Sequence, residues 1–262
     1  MAYSNSKSVV LKKTRQLLQL KYSGKTPDNY LHHIALFLDH AKNVPTRVNN
    51  EDILSYNIHI KDKSNSYRNV AINAIKAYFK LYLRKKVKGF SSIRPPKQFK
   101  KPKVYDAELL ALKISNIKNL KHRSILLLGL SSWLRQSEVK NLKINDVDSK
   151  RMIINIYNSK GSKDREVRLS EYTLQTFRDY YNQFKPKDYL FNGQTTPQYN
   201  SINAVSQNYL GIRFHSLRAS GSTFAVKQGT DIKTVSEMLG HKNIETTKYY
   251  IPAILEKVKQ AI

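Results

Sequence analysis

The sequence of 262 residues contains no cysteine. That excludes disulfides, thiolate zinc sites and cysteine catalysis together, and it is compatible with a reducing cytoplasm. Long apolar runs are missing too. The longest, Ile125–Leu130, falls far short of the roughly 20 residues that a membrane-spanning helix needs. The opening MAYSNSKSVV lacks the apolar core of a secretory signal. No basic amphipathic helix stands apart from the globular pattern, which argues against a membrane surface as partner. Acid is scarce: 19 Asp and Glu face 46 Lys and Arg, a formal charge of +27. Such an excess points to a polyanionic partner, and nucleic acid leads among polyanions. An intracellular protein is expected.

What is present reads first as helix. Apolar residues at 10, 11, 17, 18 and 20 mark a helix over 9–20. Thr26 followed by Pro27 is a start signal, a hydroxyl cap and then a proline whose missing N–H costs nothing. Tyr30, Leu31, Ile34, Phe37 and Leu38 continue it at helical spacing. Asn50 is expected to cap a third helix, and a fourth is expected over 65–86. The fourth carries Val70, Ala71, Ala74, Ile75, Tyr78 and Leu81 on one face, with Arg68, Lys76, Lys80 and Arg84 on the other. Residues 1–88 therefore form a helical domain. The stretch 89–105 that follows has three prolines and Lys97, Lys100, Lys101 and Lys103, and reads as an extended basic linker. Such a segment can follow a phosphate backbone or simply be a soluble connection.

From Asp106 to the end, 106–262, the pattern is mixed. Helical periodicity over 106–114 and 123–134 gives way to a β-like stretch at 152–157, and Val167 and Leu169 alternate with charges. Between them, 158–165 is a polar hairpin tip with one glycine. Helices return over 171–184, 201–209, 216–227 and 232–239. The expected fold is mainly α with a small antiparallel β-sheet in the second domain.

Four short motifs in that domain can carry chemistry. Arg135 follows a nearly all-apolar helix, where an unpaired charge would be costly, and Glu138 lies within helical reach to hold its guanidinium. Lys160, on the hairpin before Gly161, can swing into a neighbouring cleft. His215 and Arg218 project from one helix face and can address one anion. Gly240 suits the left-handed end of a helix, and His241 follows at a fixed place. Singly, each has a bland explanation: a structural ion pair, an exposed lysine, surface histidines. Together, ahead of Tyr249 and Tyr250, they supply what phosphoryl transfer to a tyrosine needs. Arginine forks neutralise phosphate oxygens, histidines move protons, a lysine protonates a leaving alkoxide, and a phenol attacks. No carboxylate cluster to hold a metal is evident, and no cofactor is called for.

This series, Arg135, Lys160, His215-x-x-Arg218, Leu239-Gly-His241 and Tyr250, resembles the tyrosine recombinase (phage integrase) family over the whole second domain. The helical domain and basic linker resemble the core-binding region of its Xer-type and short integrase members. The resemblance implies that Arg135 and Arg218 bind the scissile phosphate, with Glu138 supporting Arg135. It makes Lys160 the general acid, gives His215 and His241 places in the site, and makes Tyr250, nine residues after His241, the nucleophile. It also implies neither metal nor ATP, a 3′-phosphotyrosyl intermediate and a Holliday junction. The implied partner is double-stranded DNA, bound by Arg68, Lys76, Lys97, Lys100, Lys101, Lys103, Lys163 and Arg165. The implied assembly is a homotetramer with the C-terminal helix, 252–262, exchanged or docked in trans; docking onto its own domain is the other option. Location would be the cytoplasm, or inside a host cell if a mobile element or virus encodes the chain. Two departures mark a divergent member: Trp133 stands where glycine is usual, and Ala219 where many members carry a second histidine. A type IB topoisomerase-like relaxing enzyme and a catalytically silent DNA-binding protein are the alternative functions.

Overall fold

Apolar side chains at helical spacing build four helices ahead of the proline-containing stretch: α1 Lys7–Lys21, α2 Thr26–His40, α3 Asn50–His59 and α4 Asn65–Leu81. The computed structural model describes residues 6–86, 93–96, 102–157, 164–193 and 199–240. The chain divides into two units, Met1–Lys100 and Lys101–Ile262. In the first, α1, α2 and α4 pack on one another, and Val10, Leu18, Ile34, Phe37, Ile72, Ile75 and Tyr78 are fully buried between them.

The helix starts differ from expectation by one residue. Lys25 precedes α2, so Thr26 and Pro27 lie in its first turn and Thr26 is not the cap. Asn49, not Asn50, caps α3. Its side chain accepts from the N–H groups of Glu51 and Asp52, and Asp52 returns the bond to the Asn49 N–H. That reciprocity selects Asn49, because only Asn49 has an acid three residues on. At the other end, α4 stops at Leu81 rather than 86. Arg84 takes a left-handed φ of 54°, and Arg84, Lys85 and Lys86 bring no apolar side chain to hold another turn on the core.

Asn65, Asn69 and Asn73, spaced four apart on α4, meet the proline stretch. The first two donate to the Pro96 and Pro95 carbonyls at 3.3 Å, and Arg94 donates to the Asn73 side-chain oxygen at 2.7 Å. Residues 93–96 of the expected linker thus lie along α4, without helix or strand of their own.

The second unit opens with α5 Ala107–Ser115 and α6 Leu120–Leu130, whose caps Asp106 and Asn119 accept from the N–H groups of Leu109 and His122. From Ser124 to Leu130 every residue of α6 is buried, as befits a helix without a polar face. It ends four residues earlier than expected because the chain turns sharply: Trp133 has a φ of 52°. The short α7, Gln136–Asn141, comes next. Three antiparallel strands follow in the order β1 Val147–Asp148, β2 Ile153–Ile156, β3 Arg165–Arg168. Ile154 pairs with Val147 on one side and Val167 on the other. Met152, expected to begin the strand, sits in the turn before it with a φ of 55°.

Four helices complete the described fold: α8 Glu171–Phe184, α9 Ile202–Leu210, α10 Phe214–Lys227 and α11 Ile232–Leu239. The fold is mainly helical with one small sheet. α6 and α10 cross with almost no space between them. A Cβ on Gly221 would stand 1.9 Å from the Leu130 carbonyl oxygen and 2.8 Å from the Trp133 indole nitrogen. Among the described residues, no helix is long and apolar enough to cross a membrane.

Candidate active site

The turn after α6 aims Arg135. The Ser132 hydroxyl donates to the Arg168 carbonyl at 3.0 Å, tying the turn to β3. Trp133 is buried against Val235 and Leu239 of α11. Its left-handed backbone is a conformation in which glycine is at ease and a bulky residue is strained. Arg135 then stands at the N-cap of α7, and Glu138, in its first turn, accepts the Arg135 N–H at 2.7 Å.

Glu138 is the hub of the site. Arg135 Nη1 donates to Oε1 at 2.8 Å. Arg165 presents a fork, Nη1 to Oε1 at 3.0 Å and Nη2 to Oε2 at 2.8 Å. Arg218 Nη1 stands 4.0 Å from Oε2. Burial by itself would raise the Glu138 pKa. The Arg165 hydrogen bonds, the Arg135 N–H and the Arg165 charge overcome it and bring the carboxyl down to about 2. Three guanidiniums around one carboxylate leave an excess of positive charge. Arg135 keeps 31 % of its side chain exposed, whereas Arg165 and Arg218 keep 8 % and 3 %. Arg135 is therefore the one of the three most open to an incoming anion.

The same arginines grip the end of α11. Arg165 Nε donates to the Met238 carbonyl at 2.8 Å, Arg218 Nη2 to the Leu239 carbonyl, and Arg135 Nη2 to the Gly240 carbonyl at 2.8 Å. These carbonyls lie at the C-terminal end of the helix, the negative end of its dipole, so cations suit them. Arg218 Nη1 also donates to the Trp133 carbonyl. Gly240 ends α11 with a φ of 61°, as its place in the sequence predicts.

His215 lies in the first turn of α10, one turn before Arg218. It keeps an exposed surface, yet its pKa is held below the ordinary 6.5. Partial burial is the main cause, followed by repulsion from Arg218 and Arg135. The imidazole is therefore neutral near pH 7, with one nitrogen to donate and one to accept.

Of the residues singled out in the sequence, Arg135, Glu138, Arg165, His215 and Arg218 come together. Arg165 arrives in a different setting from the one expected: its guanidinium is turned onto Glu138 and Met238 and is nearly buried, rather than displayed to a DNA backbone. The sequence holds a signal for this. Arg165 precedes Val167 and Leu169 by even steps, which places it on the inward face of β3. Lys103 is exposed just ahead of α5. On α4, in the first unit, Arg68 is half-buried and Lys76 exposed. Lys97, Lys100, Lys101, Lys160, Lys163, His241 and Tyr250, with the segment 252–262, lie outside the described residues.

Similarities with known proteins bear on this site. The profile of the family described as "Phage integrase family" matches residues 106–254. The tyrosine recombinase XerA of Thermococcus onnurineus is 31% identical over 216 residues, covering 76% of this chain and 74% of that protein. The XerA of Pyrococcus horikoshii is 28% identical over 260 residues, covering 93% and 89%. Among solved structures, that of a lambda integrase (75-356) dimer bound to a COC' core site superimposes with a TM-score of 0.71. It shares 15% identity and covers 93% of this chain and 94% of that one, a likeness of fold.

Proposed function

The chain belongs to the phage integrase family, the tyrosine recombinases, which cleave and rejoin DNA, and from that premise we propose a site-specific recombinase in which Tyr250 is the nucleophile. The observation that carries this reading is the cluster itself. Arg135 and Arg218 share the Glu138 carboxylate, with His215 close enough to feel both charges.

In this reading, a phosphodiester of duplex DNA enters on the exposed side of Arg135, and the arginines neutralise its non-bridging oxygens. The Tyr250 oxygen attacks phosphorus. Its O–P bond forms as the bond from phosphorus to the 5′ oxygen breaks. The phenolic proton passes to a neighbouring histidine, for which the neutral His215 is available, and Lys160 gives a proton to the departing 5′ oxygen. The product is a 3′-phosphotyrosyl link and a free 5′ hydroxyl. Attack by a 5′ hydroxyl from a partner duplex reverses the step. The bond energy stays in the covalent link, and two rounds through a four-way junction exchange the strands.

The +27 charge supports a DNA partner. We assign residues 1–88 to gripping the core site, 89–105 to crossing the backbone, and 106–262 to catalysis. Four copies would act on DNA, each passing its segment 252–262 to a neighbour. The place of work is inside the cell.

A nicked suicide duplex tests the assignment. The native chain and Tyr249→Phe should trap a covalent adduct, and Tyr250→Phe should trap none. An adduct with Tyr250→Phe but not with Tyr249→Phe would move the nucleophile one residue back.

A further inference from the structure

Arg165 is the arginine of the site that the recombinase reading leaves without a role. Its Nη1 and Nη2 occupy both oxygens of Glu138, and its Nε caps the Met238 carbonyl. A Cβ on Gly240 would come within 3.1–3.2 Å of its guanidinium and Cδ. Every polar atom of its head thus faces protein: the carboxylate that holds Arg135, and the turn that leads out of α11. With 8 % of the side chain exposed, little remains to meet a polyanion.

We infer that Arg165 is a positioning residue rather than a DNA-binding one: it fixes the orientation of Arg135 through Glu138, and the exit of α11 through Met238 and Gly240. This rests on the recombinase reading above. The physical reason is geometric. A carboxylate can bind one guanidinium through both oxygens. If Arg165 were absent, both oxygens of Glu138 would be open to Arg135, whose fork would turn inward onto the acid and away from an incoming phosphate. Arg165 prevents that by taking one lobe of each oxygen, which leaves Arg135 a single side-chain bond to Glu138 and a second Nη for the Gly240 carbonyl. Arg165 begins β3, and Lys160 precedes it closely in the sequence. The same clamp therefore ties the chain segment next to Lys160 to the one next to His241.

The test compares the native chain with Arg165→Met and Arg165→Lys in three measurements: thermal unfolding without DNA, the salt dependence of duplex binding, and single-turnover adduct formation on suicide DNA. Removing one phosphate-binding side chain lowers the slope of log affinity against log salt by about 1. We expect Arg165→Met to keep the native slope while adduct formation falls by about 100-fold, the scale of a small misplacement of a catalytic group. Lysine has the charge without the fork, so Arg165→Lys should recover only part of that rate. A slope lower by about 1 with a native cleavage rate would overturn the inference, as would a rate and slope both unchanged. If the methionine variant does not fold, the lysine variant decides by its rate alone, because it keeps the charge: a native rate of adduct formation with Arg165→Lys would overturn the inference. A native chain that forms no adduct would sink the recombinase reading instead, and the salt slope would still say whether Arg165 touches the backbone.

Discussion

Glu138 keeps its negative charge where a lone carboxylate would give it up. Its folded pKa, about 2 against an ordinary 4.5, makes the acid a source of stability that is complete above pH 4.5. That contribution drains away as pH falls towards 2. At about 1.4 kcal/mol per pH unit it is worth roughly 3 kcal/mol at most. Glu138→Gln removes the acid but not the three guanidiniums, and breaking a buried pair in this way costs about 3–5 kcal/mol. Urea unfolding should therefore show the widest gap between variant and native chain at pH 7, closing as pH falls from about 4.5 to about 2. A gap that is constant with pH would mean the carboxylate is not what the arginines lean on. The Arg135–Glu138 pair is legible in the sequence, because a charge at the end of an apolar helix needs a partner nearby. The role of Arg165 is legible only through strand alternation, since spacing along the chain does not tell how a long side chain bends. That three arginines would divide among them three successive carbonyls, the last two of α11 and that of its cap Gly240, lies beyond any local pattern.

At the scale of elements, the crossing of α6 and α10 brings the two halves of the site together. Arg135 follows the first helix, and His215 and Arg218 belong to the second. The crossing depends on Gly221 having no side chain. In an exposed helix, glycine to alanine would gain about 1 kcal/mol from helix propensity. At Gly221 the added Cβ would overlap the Leu130 carbonyl at 1.9 Å, and forced overpacking costs about 1–3 kcal/mol or more. A backbone atom cannot yield as a side chain does, so the cost lies at the upper end and the clash wins: Gly221→Ala should lower stability by about 2 kcal/mol in denaturant unfolding; a neutral or stabilising result would mean the helices separate at no cost. Two elements with clear apolar spacing, α8 and α11, begin and end where the sequence indicates. α7 and β1, with six and two residues, contain too little pattern to find. Trp133 and Arg84 end their helical runs through left-handed backbones that nothing in their side chains announces.

For the molecule as a whole, the charge of +27 sets how it meets its substrate. A protein neutralising several phosphates loses about a thousandfold or more in affinity between about 50 and 200 mM salt. We expect that loss for random duplex in filter binding, whereas adduct formation on an already bound site should change little. A flat salt response would rule out the polyanion as the reason for the charge. The division into Met1–Lys100 and Lys101–Ile262 falls within the lysine- and proline-containing stretch 89–105. What composition does not convey is that part of this stretch is already docked: the asparagine row of α4 takes up Arg94, Pro95 and Pro96. Its regular spacing on the helix becomes informative only once a partner is seen against it.

Trp133 is the one tryptophan in the chain, and it is packed against Val235 and Leu239 of α11, two residues before Arg135. The protein consequently carries its own optical label. Indole fluorescence responds to the polarity around it, so its emission follows the docking of α11 in unmodified protein, in real time, without an attached dye. Any event that frees the end of that helix, and with it the chain leading to His241 and Tyr250, writes itself into that one signal.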